Sequence, residues 1–424
     1  MALYSEADRD LPYVAEADES RPLGPAPAPQ SYLNQEAILA AARDCGADAV
    51  HPGYGFLAEN PAFAEKAAAA GLTFIGPSPK WLRLMGDKTA ARDLMAGQGF
   101  PVNPSTGILK GSWAEQARAA AALGLPLLIK PAGGGGGIGM TAVFEESKLP
   151  GALESAAKLA ARSFAEPALY AERLLVNPRH VEFQIAADRH GGAVHLFERD
   201  CSVQRRRQKV LEEAGAPNLP AGESAALAER AAEVMAALGY DHLATLETLY
   251  QPETGFAFLE VNPRLQVEHG VTEEVTGVDL AAAQILLAAG LSLDEALPNR
   301  PPRLLGHAIE ARIYAEDPVK FLPSPGPLKV FRPPLGQAGV RVETGFAEGA
   351  VITPFYDPMI ALVIARADTR REALDLMHEA LSGFAIEGIK TNIPFLRGLM
   401  KYGPFREGRV HTGLAEEYLA ASRP

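Results

Sequence analysis

Three short strings in this 424-residue chain bring together residue types that do chemistry as groups. The first runs Lys130-Pro131-Ala132, then Gly133 to Gly137, Ile138 and Gly139. Without Cβ atoms, its backbone N–H groups can approach phosphate oxygens closely, and Lys130 adds a point charge beside them. A G-x-G-x-x-G match occurs at Gly134, Gly136 and Gly139, but a dinucleotide fingerprint must open a helix, and Met140 to Phe144 reads as a strand. No Gly-Lys-Ser/Thr follows, so the string is not a P-loop. The functional reading is a mobile lid over nucleotide phosphates; the plain one is a flexible surface loop.

The second string is a set of oxygen ligands. Glu247 lies in Ala244-Thr245-Leu246-Glu247-Thr248-Leu249, and Glu260 and Asn262 lie in Phe258-Leu259-Glu260-Val261-Asn262. A carboxylate inside an apolar strand is costly unless it has a partner. Glu260 and Asn262, two apart, share one strand face. Two carboxylates and an amide oxygen suit Mg²⁺ carrying substrate phosphates; the alternative is a buried salt bridge to Arg264 or Arg312.

The third string handles anions. Arg264, Gln266 and Glu268 alternate, so an extended segment would project all three from one side. A guanidinium beside a carboxylate can hold an oxyanion while the Glu takes its proton; a simple Arg–Glu pair is the alternative. Arg205-Arg206-Arg207-Gln208-Lys209 reads as a strip for a small anion, such as a phosphate, bicarbonate or carboxylate. A net charge of -12 and the acidic flank Glu212-Glu213 argue against nucleic acid. Cys201 reads either as a nucleophile or as a buried thiol, and Cys45 as a buried thiol. Two cysteines make neither a disulfide framework nor a thiolate zinc site, which fits a reducing cytoplasm.

The elements that must position these strings can be read coarsely. The chain is too long for one core, and its composition is that of a folded globular protein. No apolar run reaches a membrane span, and no signal peptide is visible. Short strands alternate with Ala-rich helices over the first hundred residues, which predicts a parallel α/β sheet. A strand at 126–130, the glycines, and a strand at 140–144 predict a hairpin loop. Alternation in 181–185 and 193–198 predicts half-buried antiparallel strands. A helix at 221–237 and strands at 245–250 and 256–261 follow.

Together these segments resemble the biotin carboxylase family of the ATP-grasp superfamily, over essentially the whole chain. The resemblance rests on His51-Pro52-Gly53-Tyr54-Gly55-Phe56-Leu57, Met85-Gly86-Asp87-Lys88, the Lys130 loop, and Asn177-Pro178-Arg179-His180-Val181-Glu182. It rests also on Glu198-Arg199-Asp200-Cys201-Ser202, the run from Glu260 to His269, and Phe321-Leu322-Pro323-Ser324-Pro325-Gly326. It implies an α/β and α+β multidomain chain with an ATP-grasp fold. Residues 1–85 would be a truncated N-terminal parallel α/β domain. Residues 86–305 would be the ATP-grasp domain, with a mobile lid at about 102–173, and residues 306–424 the C-terminal domain.

The implied reaction is ATP- and bicarbonate-dependent carboxylation of biotin on a carrier protein, through carboxyphosphate. By the resemblance, Lys88, Lys130, Gly135, Gly136, Gly137, Glu172, Leu175, His180, Gln204 and Leu249 would bind ATP. Glu247, Glu260 and Asn262 would hold Mg²⁺ or Mn²⁺. Lys209, Arg264, Gln266, Val267 and Glu268 would cradle bicarbonate, with Glu268 as general base, and Arg341 would stabilise the biotin enolate.

Four positions depart from the family pattern: Ile138, Arg207, Gly270 and Leu362. Against the family pattern the chain opens at what should be the second strand, which predicts a missing first βα unit, read as a misassigned start with a genuine fragment or a decayed gene as the alternatives. No Ala-Met-Lys-Met site occurs, so the biotin carrier and the carboxyltransferase are expected as separate chains, alongside a homodimer in the cytoplasm without nucleic-acid or membrane partners. The alternatives are another ATP-grasp ligase, of carbamoyl-phosphate or purine-biosynthesis type, or a catalytically impaired scaffold subunit.

Overall fold

The computed structural model describes residues 1–132, 139–164, 168–297 and 302–422; Gly135, Gly136 and Gly137 lie outside them. The chain forms two units. The first comprises Met1–Arg83, Val181–Thr245 and Asn262–Pro424, the second Leu84–His180 and Leu246–Val261. Among the described residues no helix is long and apolar enough to cross a membrane.

In the first unit, β1 (Ala2–Ser5) pairs in parallel with β2 (Ser20–Gly24), and β3 (Ala49–Val50) with β4 (Thr73–Phe74). Helices Gln35–Asp44 and Pro61–Ala69 connect these strands. Asn34 and Asn60 start them, their side chains accepting from the N–H groups of Ala37 and Phe63. Leu39, Phe63, Leu72 and Phe74 share one apolar cluster. The parallel α/β expectation for this segment holds.

The second unit is built on a four-stranded sheet. Its strands are β5 (Ser105–Ile108), β6 (Leu127–Pro131), β7 (Thr141–Val143) and β8 (Leu169–Arg173), in the order β5-β8-β6-β7. β6 runs antiparallel to both β7 and β8. The glycine run therefore joins two hairpin strands, as its flanks predicted. Helices Trp113–Ala121 and Leu149–Phe164 bury Ala120, Leu153 and Ala160 against Leu127 and Ile129. The alternation of β6 (Leu127 and Ile129 buried, Lys130 half-buried) turns Lys130 away from that core.

The largest sheet contains β9 (Arg179–Ala187), β10 (Ala193–Arg205), β11 (Gln208–Ala214), β12 (Leu243–Gln251), β13 (Gly255–Asn262) and β14 (His307–Tyr314). Strands Met359–Ala367 and Val340–Glu343 complete it beyond β14, in the order β13-β12-β9-β10-β11-β14 and onward. β10 and β11 form a hairpin whose turn is Arg206-Arg207, both at positive φ (51 and 67). Two left-handed central residues match the twist a two-residue hairpin needs, although non-glycine residues adopt them at a cost. The basic run is thus the tip of a hairpin.

One expectation is corrected here. β9 was expected to be half-buried, yet all nine of its residues are buried. The polar members of its alternation, Glu182 and Gln184, face a polar interior instead of water. Helix Arg370–Gly383, opened by a Thr369–Glu372 capping box, closes the C-terminal core with Leu374 and Met377 beside Val363 and Phe405.

Candidate active site

The first unit holds a buried ionic network. Arg199, fully buried, donates through Nε to Glu182 Oε1 at 2.7 Å and through Nη1 to Gln184 Oε1 at 2.8 Å. It also reaches the hydroxyls of Thr272 and Thr245. Lys209 Nζ donates to Glu182 Oε2 and to Glu268 Oε1, each at 2.6 Å. Arg312 donates through Nε to Glu212 Oε1 at 2.7 Å and through Nη2 to Glu268 Oε2 at 2.8 Å. β9, β10, β11 and β14 supply these side chains from adjacent strands, and Glu268 enters just before helix His269–Thr276.

Burial alone would raise the Glu268 carboxyl. The charges of Lys209, Arg312 and Arg199 outweigh it and hold the group well below the usual carboxylate range. Glu268 is therefore an anion in a dry site, with a cation on each oxygen. Ligand-type atoms of Glu182, Cys201 and Glu268 lie within 4.8 Å of one another. Lys209 and Arg199 already supply positive charge there, so the group is an ion-pair network and does not fit a metal. Burial pushes the Cys201 thiol well up, which favours an inert buried thiol over a nucleophile. Cys45 is only partly buried, contrary to expectation.

Arg264 does not pair with Glu268. Its Nε donates to Glu59 Oε1 at 2.5 Å and its Nη1 to Gln266 Oε1 at 3.1 Å, while Nη2 approaches Asn262 Oδ1 at 3.5 Å. The simple Arg264–Glu268 pair is thereby excluded, and the Arg264–Gln266 proximity expected from alternation is present. Val267 is half-buried. Gln204 is buried and donates to the Cys201 carbonyl at 2.9 Å. Arg341 Nη1 donates to Glu273 Oε2 at 2.7 Å and its Nε to Glu343 Oε1 at 2.6 Å, with about a third of its side chain exposed (32%).

The second unit carries separate lysine–glutamate and histidine–glutamate pairs. Lys88, at the start of a helix capped by Asp87, pairs with Glu260 on β13. Lys130 Nζ donates to Glu172 Oε2 at 2.6 Å, because Leu128 stands opposite Glu172 and Lys130 is its next neighbour on the same face. His180 Nε2 lies 3.0 Å from Glu247 Oε2. Leu175 is buried and Leu249 half-buried. Glu247 and Glu260 sit on β12 and β13, neighbours in the sheet. Both carboxylates offer oxygen donors, the donor type that suits Mg²⁺ or Mn²⁺.

Sequence reasoning missed Glu182, Arg199, Glu212, Glu310 and Arg312 as parts of the site. For Glu310 and Arg312 the signal was present: they are charged residues inside an otherwise apolar strand, Ala308-Ile309-Glu310-Ala311-Arg312-Ile313.

Comparison with known proteins gives the same reading along the whole chain. Family profiles match at residues 1–82 (biotin carboxylase, N-terminal domain), 87–296 (carbamoyl-phosphate synthase L chain, ATP binding domain) and 310–417 (biotin carboxylase C-terminal domain). The N-terminal domain is thus present, which corrects its description as truncated. A biotin carboxylase of Halalkalibacterium halodurans is 46% identical over 419 residues, covering 99% of this chain and 92% of the relative. The crystal structure of a Campylobacter jejuni biotin carboxylase–β,γ-ATP complex superposes with a TM-score of 0.93 at 40% identity, covering 99% of this chain and 92% of that one. The biotin carboxylase domain dimer of Hydrogenobacter thermophilus 2-oxoglutarate carboxylase, in complex with MgADP, ADP and bicarbonate, gives 0.91 at 39%, covering 98% and 91%.

Proposed function

The chain belongs to the biotin carboxylase family and is an ATP-dependent ligase that carboxylates biotin, and from that premise we propose how its residues divide the work. ATP, Mg²⁺ and bicarbonate are the small molecules of the reaction. Biotin arrives on a carrier protein, and carboxyltransferase is a separate partner. A homodimer in the cytoplasm is the working state. The chain divides into domains at 1–85, 86–305 and 306–424, with a lid at about 102–173.

Bicarbonate binds among Lys209, Arg264, Gln266 and the backbone at Val267. Glu268 takes its proton, and the freed oxygen attacks the γ-phosphoryl group, releasing ADP and forming carboxyphosphate. Carboxyphosphate then separates into CO₂ and phosphate. The phosphate removes the N1′ proton of biotin, and N1′ attacks CO₂. Arg341 faces the enolate oxygen that forms. Lys88 and Lys130 hold nucleotide phosphates. Gly135, Gly136 and Gly137, with Glu172, Leu175, His180, Gln204 and Leu249, make up the rest of the proposed nucleotide site. Glu247, Glu260 and Asn262 would hold Mg²⁺, which neutralises phosphate charge when bound.

The observation that supports this division best is the Glu268 carboxylate, buried and ionised between two cations. A proton acceptor must be deprotonated when its substrate arrives. The test is ADP release with Mg-ATP, bicarbonate and free biotin, omitting each in turn. Turnover is expected only with all three. Glu268→Gln should lower kcat by about 10²–10⁴, the usual worth of a general base, with the KM for ATP unmoved. An active Glu268→Gln enzyme would sink the general-base role.

A further inference from the structure

The network around Glu268 has a charge imbalance that its pair contacts leave open. Three cations, Arg199, Lys209 and Arg312, face four carboxyls, Glu182, Glu212, Glu268 and Glu310. All four carboxyls are buried. Four buried anions against three cations would leave one charge uncompensated in a dry interior, so the group must hold a proton. Glu212 and Glu310 are Cα partners across β11 and β14. Among the described residues, Glu212 Oε2 and both oxygens of Glu310 have no hydrogen-bond partner. Burial, and then the neighbouring Glu212, push the Glu310 carboxyl well up, so it holds the proton.

The same geometry shows what Glu212 does. Lys209 divides its ammonium between Glu182 and Glu268, and Arg312 divides its guanidinium between Glu212 and Glu268. Each cation on Glu268 is thus anchored by a second carboxylate. We propose that Glu212, with Glu310 paired to it across the strands, is a positioning residue of the carboxylation reaction: through Arg312 it fixes the orientation and the proton affinity of Glu268. The proposal rests on the general-base reading of Glu268. While Glu212 is ionised, Arg312 is shared. Once Glu212 is neutral, the whole guanidinium charge faces Glu268 and weakens it as a base.

The other groups facing this set are Glu182 on β9, Arg199 and Cys201 on β10, Lys209 on β11, and Tyr314 on β14. Tyr54 and Asp357 face it from outside the sheet, through their charge interactions with Arg312, Glu310 and Tyr314. Burial raises the Glu212 carboxyl, the Arg312 charge opposes it and the Glu268 charge adds to it, leaving Glu212 at about 7. Its protonation on acidification therefore contributes an acid limb to turnover, and Glu212→Gln reproduces the protonated state at every pH.

The experiment measures ADP release against pH and bicarbonate for wild type, Glu212→Gln, Glu212→Asp and Glu268→Gln. In Glu212→Gln, kcat/KM for bicarbonate should fall about tenfold and the acid limb should move down by about one pH unit, the scale set by one charge partner. The KM for ATP should stay at the wild-type value. Glu212→Asp should restore part of both. If Glu212→Gln does not fold, Glu212→Asp carries the test with a smaller shift in the same direction. A wild-type acid limb and bicarbonate KM in the Gln variant, or in the Asp variant where Gln does not fold, overturns the proposal while Glu268→Gln remains inactive. An active Glu268→Gln enzyme overturns the general-base reading and this inference with it.

Discussion

Charged residues are handled differently in the Glu268 network of the first unit and in the Lys88–Glu260 pair of the second. In the first, Arg199, Glu182, Lys209, Glu268, Arg312 and Glu212 form a chain in which each cation bridges two or more acceptors away from water. In the second, Lys88 and Glu260 pair with side chains 39% and 23% exposed. A bridged, buried network has no slack: its geometry is fixed before any substrate binds, which suits a base that must meet one proton. A half-exposed pair can part at small cost. In the proposed reading a phosphate takes the lysine and a metal takes the glutamate. The contrast separates charges built for orientation from charges built for exchange.

That contrast predicts stability effects in the buried pairs of the first unit and a binding effect at Lys88. The largest stability effect is expected at Arg199. Arg199→Met leaves Glu182 buried with one cation fewer and strips Gln184, Thr245 and Thr272 of their donor. Removing one partner of a buried pair costs about 3–5 kcal/mol. Denaturant unfolding should show a loss of that order. A loss below about 1 kcal/mol, the range of exposed pairs, would erase the distinction.

Next is Glu213, which shows the same buried style away from the chemistry. It accepts from Arg370 at 2.6 and 2.9 Å and lies 2.9 Å from His307 Nε2. Burial would raise its carboxyl, but the hydrogen bonds and charges of His307 and Arg370 lower it from 4.5 to about 2. A depressed carboxyl stabilises the fold above its unfolded value, and that stabilisation fades as pH falls through the folded one. Glu213 should thus contribute about 3 kcal/mol at neutral pH, lost between pH 4.5 and about 2. Melting of Glu213→Gln and wild type across that range should show the gap closing. A gap that stays constant would mean the pairing carries no linkage.

How much of this was legible in sequence depended on the distance between partners. The β6–β7 hairpin around the glycines was, because both strands and their loop are contiguous. The proximity of Arg264 and Gln266 was also, since it needs only a two-residue spacing. The true ion-pair partner of Arg264 is Glu59, 205 positions away, and no local pattern could supply it. Alternation in β9 was visible, but its meaning was inverted. Glu182 and Gln184 read as a solvent face, and the fold buries that face, where Arg199 of the neighbouring strand β10 donates to both. A period of two tells which residues share a face, not what lies against it. Likewise the Glu310 proton follows only from counting charges that four strands and a turn bring together.

The smallest effect on the fold, and the sharpest test of the contrast, is at Lys88. Its pair with Glu260 is partly exposed, so Lys88→Gln should leave the melting temperature essentially unmoved, as exposed pairs do. If Lys88 exchanges its glutamate for a phosphate, the same substitution should raise the KM for ATP about tenfold, the cost of one charge-assisted phosphate contact. Bicarbonate KM should be unaffected, because Lys209 and Arg264 remain. Nucleotide binding measured without bicarbonate isolates the step. A Lys88→Gln protein that melts early and binds ATP normally would place Lys88 with the structural charges of the first unit, and exchangeability would then have to be sought at Lys130. There the pair with Glu172 is more buried, its side chains 13% and 11% exposed, so parting it should cost more. Lys88→Gln is therefore the variant in which a change in binding can be read without a change in folding.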